Sequence, residues 1–238
     1  MSTEQKVAIV TGASQGIGAG LVRGFRHAGY RIVANSRHID AAGGDDGIVN
    51  VSGDVGDPAT GQALVAAALE RFGRIDTLVN NAGIFISKPF TEYSAADYAA
   101  IVNVNFAGFF HVTRAVAARM LEQGRGHIVS ITTTLVDQPM AAVPSGLPAL
   151  TKGGIDAATR SLAIEYAQHG VRVNAVSPGI IRTPMHPPEA LGFLASLQPA
   201  GRLGEVEDIV QAVLYLDRAG FVTGETLHVD GGAHAGRW

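Results

Sequence analysis

The feature that most constrains the fold is a glycine-spaced turn near the start of the sequence. Residues 7–10 have the unbroken apolar character of a buried strand and run directly into residues 11–18, TGASQGIG. Glycines permit a tight turn there and let an anionic group approach the backbone. The helical pattern that follows would present free N–H groups to that anion. The segment therefore predicts a phosphate-binding βα unit, although an ordinary glycine-rich turn is an alternative.

Short segments rich in β-branched residues alternate with longer amphipathic segments. The predicted strands cover residues 7–10, 31–36, 48–52, 77–81, 127–132, 171–176 and 226–229. The predicted helices cover residues 19–27, 58–72, 95–123, 149–168 and 205–217. Unbroken apolar strands indicate a parallel sheet with both faces covered. We therefore predict an α/β fold, one Rossmann-like, doubly wound domain of about seven strands over residues 1–238. The proline-rich residues 184–199 are predicted to cross the sheet edge as a lid.

Composition argues against several classes of site and partner. The chain has no cysteine, which removes disulfides and thiolate catalysis. Its eight histidines include no pair at zinc-ligand spacing, so no metal site is expected. A formal net charge of −3 gives no reason to expect nucleic acid or a membrane surface as a partner. Without an apolar signal segment or a bilayer-spanning stretch, we expect a cytoplasmic protein.

Several motifs spread along the chain share one pattern. After the glycine turn come NNAG at residues 80–83, VNFAG at 104–108, SPG at 177–179 and DGG at 230–232. Together they resemble the short-chain dehydrogenase/reductase family over essentially the whole chain. The resemblance implies an oxidoreductase that uses a nicotinamide dinucleotide, acts on a small molecule and assembles as a homotetramer.

The resemblance also implies individual roles within the dinucleotide site. Asp54 and Val55 would hold the adenine, Asn81 would line the cleft and Thr183 would bind the carboxamide. The implied cofactor-binding residues are Gly12, Ser14, Gln15, Gly16, Ile17, Gly18, Arg37, Asp54, Val55, Asn81, Ala82, Gly83, Lys152, Pro178, Gly179, Ile181 and Thr183.

The end of the second predicted strand bears on the choice of dinucleotide. It reads ANSRH at residues 34–38, with no acidic residue before Asp40. In this fold an acidic side chain there accepts hydrogen bonds from the ribose of NAD, whereas a basic one pairs with the 2′-phosphate of NADP. Arg37 therefore predicts that NADP(H) is preferred over NAD(H), unless Arg37 is only a solvated surface charge.

The catalytic segment departs from the family pattern. Family members usually catalyse with Ser, Tyr and Lys, the last two spaced Tyr-x-x-x-Lys. Lys152 is present, but Pro148 stands four residues before it, and Thr133 aligns with the usual serine. The resemblance implies Lys152, Thr133 and Asn105 as catalytic residues, with Asn105 kinking a long helix and holding a water near the lysine. An asparagine in mid-helix also needs a buried partner.

Without the tyrosine, the proton donor and the reaction stay open. Candidate donors are Asp137, His186, Ser145 and a water held by Lys152. The first functional hypothesis is an NADP-dependent carbonyl reductase with a substitute donor. The second is a reductase of imines or activated C=C bonds, which do not require that acid. The third is a dinucleotide-binding protein without turnover.

Overall fold

The structure is a computed structural model that describes residues 5–39 and 44–236, and at its centre lies a seven-stranded parallel sheet. The strands are β1 (Val7–Thr11), β2 (Arg31–Ser36), β3 (Ile48–Ser52), β4 (Thr77–Asn80), β5 (Gly126–Ile131), β6 (Val171–Pro178) and β7 (Thr226–Val229). Their order is β3-β2-β1-β4-β5-β6-β7. The order reverses between β1 and β4, and in such sheets ligands bind in the crevice at that point. The predicted doubly wound α/β fold is confirmed.

Helices cover both faces of the sheet. They are α1 (Gly16–His27), α2 (Pro58–Phe72), α3 (Ala95–Ile101), α4 (Gly108–Gln123), α5 (Gly146–Tyr166), α6 (Leu191–Ser196) and α7 (Val206–Arg218). One apolar core packs α1 and α7 against the sheet through side chains such as Phe25 and Ile209. The other packs α2, α4 and α5 against the opposite face through Leu64, Val116 and Ala163. Burial on both sides explains why residues 7–10 of β1 are apolar without alternation.

Several predicted boundaries were wrong by a few residues. β6 continues to Pro178 beyond residue 176, and β5 spans Gly126–Ile131 instead of 127–132. α1 begins at Gly16, inside the glycine turn, because the turn's last residues form the first helical turn. α5 begins at Gly146, so Lys152 lies within the helix instead of at its start. Proline tolerates the first turn of a helix, and Pro148 therefore does not delay α5.

Two connections differ from a simple strand–helix alternation. The predicted helix 95–123 is broken into α3 and α4 by a π-helical segment, Val102–Ala107. Residues 184–199 do cross the sheet edge, but they contain α6, which the proline content concealed. The part of the β2–β3 connection that the structure describes contains no helix, and Asp40 lies outside the described residues. None of the described helices is both long enough and apolar enough to cross a membrane.

Candidate active site

A cleft opens where the sheet order reverses, at the carboxyl ends of the strands. It is lined by every residue that the family resemblance assigned to the cofactor or to catalysis: Gly12, Ser14, Gln15, Gly16, Ile17, Gly18, Arg37, Asp54, Val55, Asn81, Ala82, Gly83, Asn105, Thr133, Lys152, Pro178, Gly179, Ile181 and Thr183. The structure thus brings the predicted residues together, while their individual roles stay predictions.

The glycine turn leaves room that a side chain would remove. Gly12 and Gly16 have φ values of 64° and 53°, a backbone region that favours glycine. A Cβ atom at Gly18 would lie 2.1 Å from the carbonyl oxygen of Gly12. The first turn of α1 contains no acidic residue, and its N–H groups have no acceptors within the helix. The turn therefore fits the diphosphate of a dinucleotide, whose negative charge the helix N-terminus would stabilise.

Thr11 and Asn81 fix the shape of this turn. The Asn81 side-chain amide donates to the carbonyl oxygens of Thr11 at 2.9 Å and Gly12 at 3.2 Å. In return, the Thr11 hydroxyl accepts hydrogen bonds from the backbone N–H groups of Asn81 and Ala82, both at 3.0 Å. Thr11 was not predicted from the sequence, although a hydroxyl residue at the strand end, directly before the first glycine, was a signal for it.

The opposite end of the cleft lies beyond β2. The hydroxyls of Ser14 and Ser36 are 3.1 Å apart, and the neighbouring Arg37 side chain is exposed beside them. Asn35 donates to the carbonyl oxygens of Val51 and Gly53 at 3.0 and 3.1 Å, which ties β2 to the segment carrying Asp54. This end therefore combines a cation with two hydroxyls, while Asp54 stands on the adjacent strand connection.

Asn105 lies in the π-helical segment and is only 2% exposed. Its side chain accepts from the N–H of Ile84 at 2.9 Å and donates to the carbonyl oxygen of Ile84 at 3.0 Å. The requirement for a buried partner is thus confirmed: besides the backbone of Ile84, the Asn105 amide donates to the buried Thr151 hydroxyl at 3.4 Å. The interaction ties the loop after β4 to the irregular helix, as π-bulges at functional sites often do. The proposed water near the lysine stays a prediction.

Lys152 projects from α5 into the floor of the cleft. Its Nζ donates to the carbonyl oxygen of Ile131 at 2.7 Å. A Cβ atom at Gly83 would lie 3.2 Å from the same nitrogen, so the ammonium also contacts the loop after β4. Burial lowers the pKa of Lys152 to about 8, because a desolvated ammonium is disfavoured. The site therefore holds a cation that is charged at neutral pH and loses its proton more readily than a surface lysine does.

The loop after β5 carries the predicted catalytic hydroxyl. Thr133 begins a short helical turn, and its Oγ1 accepts from the N–H of Leu135 at 3.4 Å. The next side chain, Thr134, donates to the buried carboxylate of Asp230 at 2.7 Å. Asp230 also accepts from the backbone N–H of His234 at 2.8 Å. The DGG motif near the C-terminus therefore anchors the loop that presents Thr133.

The remaining part of the cleft is mostly apolar. The residues that share this apolar character are Phe85, Met140, Val143, Pro148, Met185 and Leu194. Among the described residues that line the cleft, none is a tyrosine, and the ionisable side chains are Arg37, Asp54, Lys152 and His186.

The predicted alternative proton donors are not equivalent in the structure. His186 lines the cleft, whereas Asp137 and Ser145 are not among its lining residues. The Asp137 carboxylate lies 3.0 Å from His228 Nε2.

This fold and cradle define a nicotinamide-dinucleotide oxidoreductase of the Rossmann type. A family profile described as enoyl-(acyl carrier protein) reductase matches residues 12–234. The chain therefore belongs to the short-chain dehydrogenase/reductase family, as its motifs suggested.

Relatives of known name agree with this class. The chain is 36% identical to the (2S)-[(R)-hydroxy(phenyl)methyl]succinyl-CoA dehydrogenase subunit BbsD of Thauera aromatica, over 98% of both chains. It is 33% identical to the 3-oxoacyl-[acyl-carrier-protein] reductase FabG of Escherichia coli, over 98% of this chain and 99% of that one.

Solved structures resemble the fold closely. ElxO with NADP bound superposes with a TM-score of 0.91 at 27% sequence identity. The match covers 98% of this chain and 100% of the ElxO chain. A 3-ketoacyl-(acyl-carrier-protein) reductase from Brucella melitensis complexed with NADH gives a TM-score of 0.88 at 32% identity, with 98% and 100% coverage. One neighbour thus holds NADP and the other NADH.

Proposed function

We propose that this oxidoreductase transfers hydride between NADP(H) and the carbonyl carbon of an apolar organic substrate. The observation that carries the proposal is the half-buried Lys152 ammonium, which lies where the glycine cradle meets the apolar part of the cleft. The bound dinucleotide supplies or accepts the hydride. The chain's own residues then have to bind the substrate, exclude water and stabilise the charge that develops on the substrate oxygen.

Two groups are suited to stabilise that oxygen. The Lys152 ammonium provides a positive charge in a low-dielectric setting, where an oxyanion gains more from it than in water. The Thr133 hydroxyl is held in place by the loop that Asp230 anchors, and it can donate a hydrogen bond to the same oxygen. The apolar side chains around Pro148 would pack against the substrate and displace water.

The direct test combines binding with turnover. Titration calorimetry should detect NADPH binding, and NADPH consumption should follow the addition of an apolar ketone such as acetophenone. The absence of binding heat and of thermal stabilisation by saturating NADPH and NADH, on folded protein, would contradict the cradle assignment. Binding without consumption across aryl and alkyl ketones would contradict the carbonyl assignment alone.

Preference for NADP(H) over NAD(H) rests on Arg37. Replacing Arg37 with aspartate should weaken NADPH binding by about tenfold to hundredfold, because a charge-assisted bond to the 2′-phosphate is lost. NADH binding should stay equal or improve, since the new carboxylate can accept from the ribose 2′-hydroxyl. Both dissociation constants are measured by calorimetry.

Arg23→Asp is the matched control for Arg37→Asp, because Arg23 is exposed on α1 and does not line the cleft. The control changes net charge equally and should leave the NADPH-to-NADH ratio unaltered. Equal effects of the two variants would mean that Arg37 acts only through long-range charge.

Reduction of an activated C=C bond is the second candidate. It is favoured by the lack of a tyrosine among the described lining residues, because an enolate spreads its charge and needs a weaker acid than an alkoxide does. Imines are less well matched, since a protonated imine is a cation and the ionisable groups near the apolar part are Lys152 and His186. Product analysis with cyclohexenone separates the outcomes: saturated ketone indicates C=C reduction, and allylic alcohol indicates carbonyl reduction.

Assembly and location remain predictions. Exposed apolar side chains occur on the π-helical segment and α4 at Phe106 and Phe110, and on α5 at Leu150 and Ile164. Exposed apolar side chains on these elements fit the homotetramer that the family resemblance implies. Sedimentation velocity measures that assembly. Three further expectations also stay predictions: a cytoplasmic location, a single domain over residues 1–238 and a small-molecule substrate.

A further inference from the structure

We propose that His186 is the acid that protonates the substrate oxygen during reduction, and the base that removes the proton during oxidation. This inference rests on the proposed carbonyl chemistry. It assigns a catalytic role to a residue in the segment that crosses the sheet edge, outside the loop and helix that carry Thr133 and Lys152.

The cleft offers few side chains that can exchange a proton. Of its four ionisable lining residues, Arg37 and Asp54 lie at the end beyond β2 and β3, away from the apolar part. Lys152, which donates to the carbonyl oxygen of Ile131 at 2.7 Å, is assigned to stabilise the developing oxyanion and has to keep its charge to do so. His186 is the remaining ionisable group among the described lining residues.

The local backbone places His186 beside the cradle. Thr183 lies against the glycine turn, since a Cβ atom at Gly16 would be 3.4 Å from the Thr183 Cβ. A turn then folds the chain back, because the N–H of His186 donates to the carbonyl oxygen of Thr183 at 3.1 Å. The N–H of Met185 donates to the Thr183 hydroxyl at 3.4 Å. His186 therefore stands one turn beyond a residue that touches the cradle, where the apolar part of the cleft begins.

The surroundings of the ring suit proton exchange. Burial lowers the pKa of the His186 imidazole below its ordinary value, and no charged group contributes to that shift. The nearby charges are Lys152 on α5, the exposed Glu189, and Arg182, which is paired with Glu205 at 3.0 Å. An imidazole that is mostly neutral at neutral pH is an effective base, and its protonated form is a stronger acid than a free histidine.

The step balances without a further reactant. Hydride adds to the carbonyl carbon, the C=O π electrons become a lone pair on oxygen, and that oxygen takes the imidazolium proton. The hydride comes from NADPH, so the products are an alcohol, NADP⁺ and a neutral imidazole, which solvent protonates again. Because the imidazolium form exists only below its lowered pKa, the rate of reduction should rise as the pH falls through that pKa. The rate of oxidation should instead rise as the pH increases through that pKa, since oxidation requires the neutral ring.

The test compares His186→Gln with His169→Gln, because His169 is exposed at the end of α5 and does not line the cleft. His186→Gln should lower kcat for acetophenone reduction by about 10²-fold or more, the usual contribution of a general acid. The rise in its rate as the pH falls through the His186 pKa should disappear. Its dissociation constant for NADPH should stay within about twofold of the wild type, because no contact of ordinary strength to the cofactor is lost. His169→Gln should match the wild type throughout.

Each outcome bears on a different claim. If His186→Gln keeps the wild-type turnover and the same rise in rate as the pH falls, His186 is not the acid. The proposed function would still stand. A lower kcat with an unchanged pH profile would also overturn the role of His186, because a structural role would produce that pattern. The absence of ketone turnover in the wild type at any pH, with NADPH bound, would overturn both the carbonyl assignment and this inference.

Discussion

Replacing Lys152 with methionine should lower kcat for carbonyl reduction by about 10²- to 10³-fold, the usual cost of removing one group that stabilises an oxyanion. Methionine keeps an apolar side chain of similar length, so the packing of α5 is retained while the charge is lost. The ammonium lies in the cleft within hydrogen-bond distance of the Ile131 carbonyl oxygen. NADPH binding should weaken less than turnover, because the glycine cradle makes its diphosphate contacts without Lys152.

The pH dependence gives this prediction a second readout. Burial lowers the pKa of Lys152 to about 8, so the ammonium is present below that pH and is lost as the pH rises through it. Wild-type reduction should therefore decline above about pH 8, and Lys152→Met should lack that basic limb. The control is Lys6→Met, since Lys6 precedes β1 and does not line the cleft. A variant at Lys152 with wild-type kcat would show that the charge does not act on the reacting oxygen.

Much of the cleft was predictable because backbone requirements leave traces in the sequence. A glycine turn between an apolar strand and a helix needs little tertiary information, and the parallel sheet then fixes where every strand end lies. The family resemblance assigned Asp54, Asn81 and Thr183 to one dinucleotide site, and all three line the same crevice although they are far apart in sequence.

The parts that sequence patterns did not reveal depend on tertiary contacts. The family resemblance implied a kink at Asn105, but helical periodicity does not encode the contact with the Ile84 backbone at the break between α3 and α4. The hydrogen bond from Thr134 to Asp230 joins residues that are 96 positions apart in the sequence. α6 was missed because flanking prolines indicate an irregular segment, although six residues between them are enough for a short helix.

The same limit applies to proton transfer. The sequence ranked Asp137, His186 and Ser145 alike as substitute donors, since distance from the glycine cradle is not encoded locally. In the structure, the carboxylate of Asp137 is directed to His228, whereas His186 lines the cleft. Side-chain placement therefore separated candidates that residue chemistry alone left equal.

Pro148→Tyr should raise ketone reduction at neutral pH by up to about 10²-fold, because it places a second acid in the cleft. Pro148 is buried, lines the cleft and is the third residue of α5. A backbone N–H at this position has no acceptor within the helix, so its return does not disturb the hydrogen bonding of α5. Lys152 lies about one helical turn further on, and its ammonium should lower the pKa of the new phenol. The phenol would be protonated at neutral pH, where the imidazolium of His186 is scarce.

Pro148→Phe is the matched control, because it adds the same ring without the hydroxyl. Only the tyrosine variant should gain activity, and the gain should be larger in a His186→Gln background, where the phenol replaces the missing acid. Thermal unfolding of both variants shows whether they are folded, and their dissociation constants for NADPH show whether they bind the cofactor. If folded, cofactor-bound Pro148→Tyr shows no gain in either background, proton supply does not limit this enzyme. If the phenylalanine variant gains equally, the effect comes from substrate packing, since its ring cannot donate a proton.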